Sequence, residues 1–117
     1  MAGNIQATLD KIMEIDGALA CSVVDATSGM VLGQAGGGMD MNVAAAGNSE
    51  VVRAKLKTMK SLNLQDNIED ILISLGKAYH IIRIHGSLFV YVALSKAKAN
   101  LALARHKIAE AEGSLSV

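Results

Sequence analysis

With 117 residues, 11 acids balanced by 11 bases and only three aromatic side chains, the chain fits one compact domain and makes a poor nucleic-acid binder. Apolar residues make up 51%, enough for a core built from Ile, Val, Leu, Met and Ala. The single cysteine, Cys21, excludes an intrachain disulfide or a zinc cluster and, with no signal peptide in the sequence, points to the reducing cytoplasm.

At the amino terminus "NIQATLDKIMEI" predicts a helix, with Ile5, Leu9, Ile12 and Met13 on one face. Asp10, Lys11, Glu14 and Asp16 rule this segment out as a membrane span, and no membrane insertion is expected. Gly17 ends the helix. "ALACSVVDATSGMVLGQA" reads as a hairpin, its first strand over 18–25 and its second over "MVLGQA", with Gly29 taking positive φ in the "DATSG" turn. "GGG" breaks the chain, and Asp40 is placed to cap a second helix over 39–60. Three strand-like segments follow. "NIEDILISL" and "AYHIIRI" are separated by Gly76 and Lys77, and "SLFVYVAL" follows a turn at His85 and Gly86. Ser95 is then expected to cap a last helix, "KAKANLALARHKIAEAE", whose apolar face is Ala97, Leu101, Ala104 and Ile108, with Leu103 alongside. Gly113 ends it, leaving 113–117 as a frayed tail.

The order helix, two strands, helix, three strands, helix implies an α/β chain of the α+β type, folded as a single domain over 1–117 around an antiparallel sheet. In the last strand Leu88, Val90 and Val92 point one way and Phe89, Tyr91 and Ala93 the other. A strand apolar on both sides needs helices on both sides. The first and last helices are expected on one face and the second on the other.

The second helix has three faces at 100° per residue. Met41, Ala45, Val52, Leu56 and Met59 form a core stripe, and Asn42, Ser49, Glu50, Arg53, Lys57 and Lys60 a wet one. Val43, Gly47, Val51, Ala54 and Thr58, with Ala44 beside them, form a third stripe of small or β-branched residues. A mid-helix glycine costs about 1 kcal/mol against alanine, so something should offset Gly47. Either the stripe packs under another part of the same chain, or it meets its own copy across a two-fold axis. The third strand, with Ile71 and Ile73, supports the second reading: an apolar edge strand needs a cover, and pairing with its symmetry mate provides one.

Charge is unevenly spread along the chain. Residues 1–52 hold Lys11 against Asp10, Glu14, Asp16, Asp25, Asp40 and Glu50, so the remaining ten bases and five acids all lie in 53–117. Arg53, Lys57 and Lys60 make a basic edge on the second helix, either a solvated face or a contact for an acidic partner surface. "GQAGGGMD" follows a strand and opens a helix, as a phosphate loop does, but it lacks the G-x-G-x-x-G spacing, and Asp40 would sit where the anion belongs. His80, His85 and His106 are assigned to a strand, a turn and a helix, too scattered for a metal site. Cys21 reads as a small buried hydrophobe. Glu69 and Asp70 are adjacent in a strand and point to opposite faces, which opposes a paired-carboxylate site. No catalytic, cofactor or metal residues are assigned.

Chain length, element order, "SVVDATSGMVL" and the closing "NLALAR" of Asn100 to Arg105 together resemble the Roadblock / dynein-light-chain domain family over nearly the whole chain. "GGGMDMNVAAAG" looks more like its prokaryotic, GTPase-regulator-like branch, and the "GIP" and "TT" patterns of dynein subunits are absent. The resemblance implies a profilin-like five-stranded antiparallel sheet between helices. It also implies dimers formed through the second helix and third strand. Prokaryotic members resemble regulators of Ras-like GTPases, including a gliding-motility GTPase-activating protein, and eukaryotic members are dynein cargo subunits or lysosomal scaffold components. The family is not catalytic in itself. The expected function is therefore a homodimeric module that binds and regulates a small Ras-like GTPase without a cofactor. The alternative is a structural scaffold or adaptor subunit of a signalling or motor complex.

Overall fold

The apolar periodicities become eight elements in the computed structural model, which describes residues 3–117. In chain order these are α1 (Ile5–Ile12), β1 (Ala18–Asp25), β2 (Met30–Gly36), α2 (Met41–Ser61), β3 (Asp70–Ser74), β4 (Ala78–His85), β5 (Leu88–Ser95) and α3 (Leu101–Gly113). The five strands form one sheet, antiparallel throughout, in the order β2-β1-β5-β4-β3. The most apolar strand, β5, takes the middle, where both faces and both edges are covered.

The two faces of the sheet carry different helices, as the alternation in β5 implied. Cys21, Val23, Val90, Val92 and Leu94 pack with Leu9 and Ile12 of α1 and with Ala104 and Ile108 of α3. Ala20, Val24, Phe89 and Tyr91 pack with Met41, Ala45 and Val52 of α2. Small residues let the layers close up. A Cβ on Gly33 of β2 would stand 2.6 Å from Ile5 Cγ2 and 3.2 Å from Leu9 Cδ1, so α1 crosses β2 at this residue.

Local signals place the ends. Asp40 accepts hydrogen bonds from the N–H groups of Asn42 (3.0 Å) and Val43 (3.3 Å), capping α2 as expected. Its carboxylate thus occupies the donors that a bound phosphate would need. Gly29 has φ +76° in the β1–β2 turn. Gly76 and Lys77 form the loop before β4, closed by a bond from Leu75 N–H to the Ala78 carbonyl (2.8 Å).

Several boundaries differ from the expected ones. Ser95 belongs to β5, and its carbonyl accepts from Lys98 and Ala99 in a turn. Asn100 is the actual N-cap of α3, accepting from Leu103 N–H at 3.0 Å, so Ala97 lies outside the helix. His85 is the last residue of β4, and the turn is Gly86–Ser87. The strand expected to open at Asn67 pairs only from Asp70. Nor does the whole tail fray: Leu115 is 5% exposed within the core. Asn4 donates to the carbonyl of Ser114 (2.6 Å), and its Oδ1 accepts from Ser116 N–H (2.7 Å). An apolar residue two places past Gly113 supplies the hold that helix-end reasoning alone does not register.

Candidate interaction surface

α2 lies over the β1–β2 side of the sheet, leaving its other flank beside β4 and β3 uncovered by the chain itself. The third stripe is on that uncovered flank. Val43 is 69% exposed, Gly47, Val51, Ala54 and Thr58 are also exposed, and Ala44 is half-buried. The same-chain packing considered for this stripe is not what forms. Among the described residues, a Cβ added at Gly47 would meet nothing within 4 Å, so none of them requires a glycine there.

The other two stripes are largely as read, with two exchanges. Met41, Ala45, Val52 and Met59 are buried, but Leu56, assigned to the core, is 46% exposed. Ser49, assigned to the wet face, is fully buried: its Oγ donates to the Ala45 carbonyl at 2.7 Å. A serine that bonds back to its own helix carries no unsatisfied polarity into the core. Asn42, Glu50, Arg53, Lys57 and Lys60 are exposed as expected.

β3 is a sheet edge, paired only with β4. Ile71 and Ile73 are half-buried on the α2 side, and Leu72 is exposed on the other. The two edges of the sheet differ. The β1–β2 ladder slips between Val23 and Val24, a bulge of the kind that spoils an edge for pairing. The β3–β4 ladder runs unbroken from Asp70 to Ser74. Between β3 and α2 lies a groove of about 620 Å³, lined by Val51, Lys55, Met59, Leu64, Ile68 and Ile71 among others. The fold therefore brings the α2 stripe, Ile71 and Ile73 to one side of the molecule, with Lys55, Asp66, Glu69 and Asp70 also lining the groove.

The basic edge stands apart from that surface. Arg53 Nη1 donates to the Ala26 carbonyl at 2.8 Å, anchoring its side chain to the β1–β2 turn. Lys57 and Lys60 are exposed, and among the described residues none of the three cations meets a carboxylate. Two ion-pair clusters escaped the sequence reading. Arg105 of α3 holds Asp70 at the start of β3 through both carboxylate oxygens (2.7 and 3.0 Å). Glu112 of α3 accepts from Arg83 Nε (2.9 Å) and meets His85 Nδ1 (2.6 Å), both on β4.

The remaining candidates are dispersed. Cys21 is buried, its Sγ 3.6 Å from the Leu9 carbonyl, and burial with the nearby Asp10 charge pushes its thiol pKa up to about 12. A thiol so placed is inert. His106 is exposed on α3, far in sequence and element from His80 on β4. Among the described residues no three His, Cys, Asp or Glu side chains gather as metal ligands do, and no helix is long and apolar enough to cross a membrane.

No family model matches the sequence, and no curated protein matches it significantly. Solved structures do match the fold. Myxococcus xanthus MglB superposes with a TM-score of 0.85 at 21% identity, over 95% of this chain and 90% of that one. A Roadblock/LC7 domain from Streptomyces avermitilis gives 0.82 at 11% identity, over 92% and 91%. The gliding protein MglB from Thermus thermophilus gives 0.82 at 14% identity, over 95% and 84%. What this chain shares with them is the Roadblock/LC7 fold, in the element order α-β-β-α-β-β-β-α.

Proposed function

We propose that this chain, a Roadblock-type module by fold, works without catalysis as a cytoplasmic homodimer that binds a small Ras-like GTPase and regulates its nucleotide cycle. The observation that carries the self-association is the open space over Gly47. A glycine in mid-helix costs about 1 kcal/mol against alanine, and no contact among the described residues offsets it. Close approach of a second backbone does. Val43, Ala44, Gly47, Val51, Ala54 and Thr58 would meet their copies across a two-fold axis, and β3 with Ile71 and Ile73 would pair with its mate into a ten-stranded sheet.

The GTPase reading rests on the prokaryotic-branch resemblance and on the shared fold with the gliding protein MglB. Arg53, Lys57 and Lys60 are the proposed contact for an acidic partner surface, present twice on the dimer. Lys57 and Lys60 project freely, whereas Arg53 is tethered to Ala26, which argues against a finger reaching into the GTPase's active site.

Two measurements test these steps. The mass in solution is expected to be that of a dimer, and Gly47→Trp to give a monomer or an insoluble protein. A wild type that is monomeric at high micromolar concentration refutes the interface. A small GTPase encoded beside the gene is expected to change its hydrolysis rate on adding the protein, or to bind it in a nucleotide-dependent way. Binding with neither effect leaves the scaffold reading in place and removes the regulator.

A further inference from the structure

The uncovered flank between α2 and β3 is a trough, and at the end nearest the start of α2 its floor holds a titratable group, His80. In the β4 register His80 stands opposite Ile73 of β3 and Ala93 of β5. It shares the α2 face with Tyr91 and is half-buried. Its Nδ1 lies 3.0 Å from Tyr91 Oη, with the two rings edge-on at 5.4 Å. Tyr91 Oη is also 3.3 Å from Met39 Sδ.

We propose that His80 makes self-association through the α2–β3 surface pH-sensitive: the neutral imidazole is roofed by the second copy, and the imidazolium opposes it. This rests on the homodimer proposed above. A copy laid along Val43, Gly47 and Val51 and extending the sheet from β3 would close over the trough, because α2 walls it through Val51 and Ile71, Ile73 and His80 share the sheet face beneath. Tyr91, the phenol under that wall, has its pKa raised by burial, with a side-chain hydrogen bond from Asn48 of α2 opposing.

The chemistry of the pair serves both states while the trough is open. Neutral His80 accepts the Tyr91 O–H at Nδ1. Protonated His80 donates Nδ1–H to the Tyr91 oxygen, and the Tyr91 O–H turns to Met39 Sδ, a weak acceptor. In the open chain, water solvates the added charge. Under a roof the described residues of its own chain give it no counter-charge. The groups facing His80 are Ile73 from β3, Ala93 and Tyr91 from β5, Met39 from the segment before α2, and Asn48 of α2 through Tyr91, none of them charged at neutral pH. The stripe the second copy would bring is itself uncharged, with Glu50 and Lys55 on its flanks. Burial within one chain already lowers the His80 pKa from its ordinary value, and further burial lowers it more.

The sign follows from linkage. Association is at full strength above the His80 pKa of the free chain and is lost as pH falls toward the lower pKa of the dimer. Each unit of further depression weakens association about tenfold per protomer, and two His80 side chains are buried per dimer.

Sedimentation equilibrium between about pH 8 and pH 5.5 tests this. The wild-type dissociation constant is expected to rise severalfold over this range, with circular dichroism unchanged. His80→Gln is expected to remove most of the rise and His85→Gln to leave it in place. As a check free of variants at His80, its ring titration by NMR should fall at lower pH in the wild-type dimer than in a folded Gly47→Ala chain diluted to monomer. A dimer whose dissociation constant is flat with pH, a rise that survives in His80→Gln, or equal titration in dimer and monomer overturns the role of His80 while leaving the dimer standing. A wild type that is monomeric at pH 8 overturns the dimer itself.

Discussion

Two glycines in comparable surroundings of the sequence do opposite things. Gly33 is required by its own chain, because α1 lies on it, and Gly33→Ala forces Ile5 and Leu9 aside. We expect about 1–3 kcal/mol of destabilisation by urea unfolding. Gly47 is required by none of the described residues of its own chain, so Gly47→Ala should raise the stability of the isolated protomer by about 1 kcal/mol. If a second helix approaches there, the same change weakens association. Higher chemical stability with lower dimer affinity is the expected signature, and stabilisation with unchanged affinity would mean the stripe is not closely packed. The small third stripe was legible from periodicity alone. Ser49 and Leu56 were not, because a helical wheel assigns polarity by residue type. It does not see that the Ala45 carbonyl satisfies the Ser49 hydroxyl, or that Leu56 lines an open pocket with Ala26, Ile84 and Leu88 in place of closed core.

α3 is fastened to the sheet by side chains at both ends. Near its start Arg105 grips Asp70, and near its end Glu112 takes Arg83 and His85. The Glu112 side chain is 12% exposed. Burial alone would raise its pKa, but the bonds and charges of Arg83 and His85 prevail and hold it below the usual carboxylate range. A carboxylate depressed in the folded state adds stability above its unfolded pKa of about 4.3, and that stability is lost as pH falls through the lower folded value. Glu112→Gln should cost about 1–2 kcal/mol at pH 7 and flatten the decline in stability between about pH 5 and pH 3, measured by urea titration at each pH. These pairs span 27 to 35 positions, so no local pattern announces them. The start of α3 was hidden for a related reason. Ser95 and Asn100 are both good caps, and the choice falls to Asn100 because β5 keeps Ser95 in the sheet.

At the scale of the whole molecule, the layering was readable because β5 alternates two apolar faces, which only a sheet with helices on both sides can bury. The edge position of β3 was suggested by its place directly after α2, but its unbroken ladder was not legible in the sequence. The sequence concealed the closure at the ends, since it depends on Asn4 meeting Ser114 and Ser116 across more than a hundred positions. That clasp has a consequence for how the chain can be rewired. With Gly3 lying against the backbone of Ser116 and Val117, the polypeptide is close to a ring whose starting point is arbitrary. A circular permutant with a short glycine–serine linker from Val117 to Gly3, opened between Gly37 and Gly38, should melt cooperatively with an unchanged circular dichroism spectrum. The new ends would then emerge just ahead of α2, and anything attached to them would move from the α1–α3 side of the sheet to the opposite one.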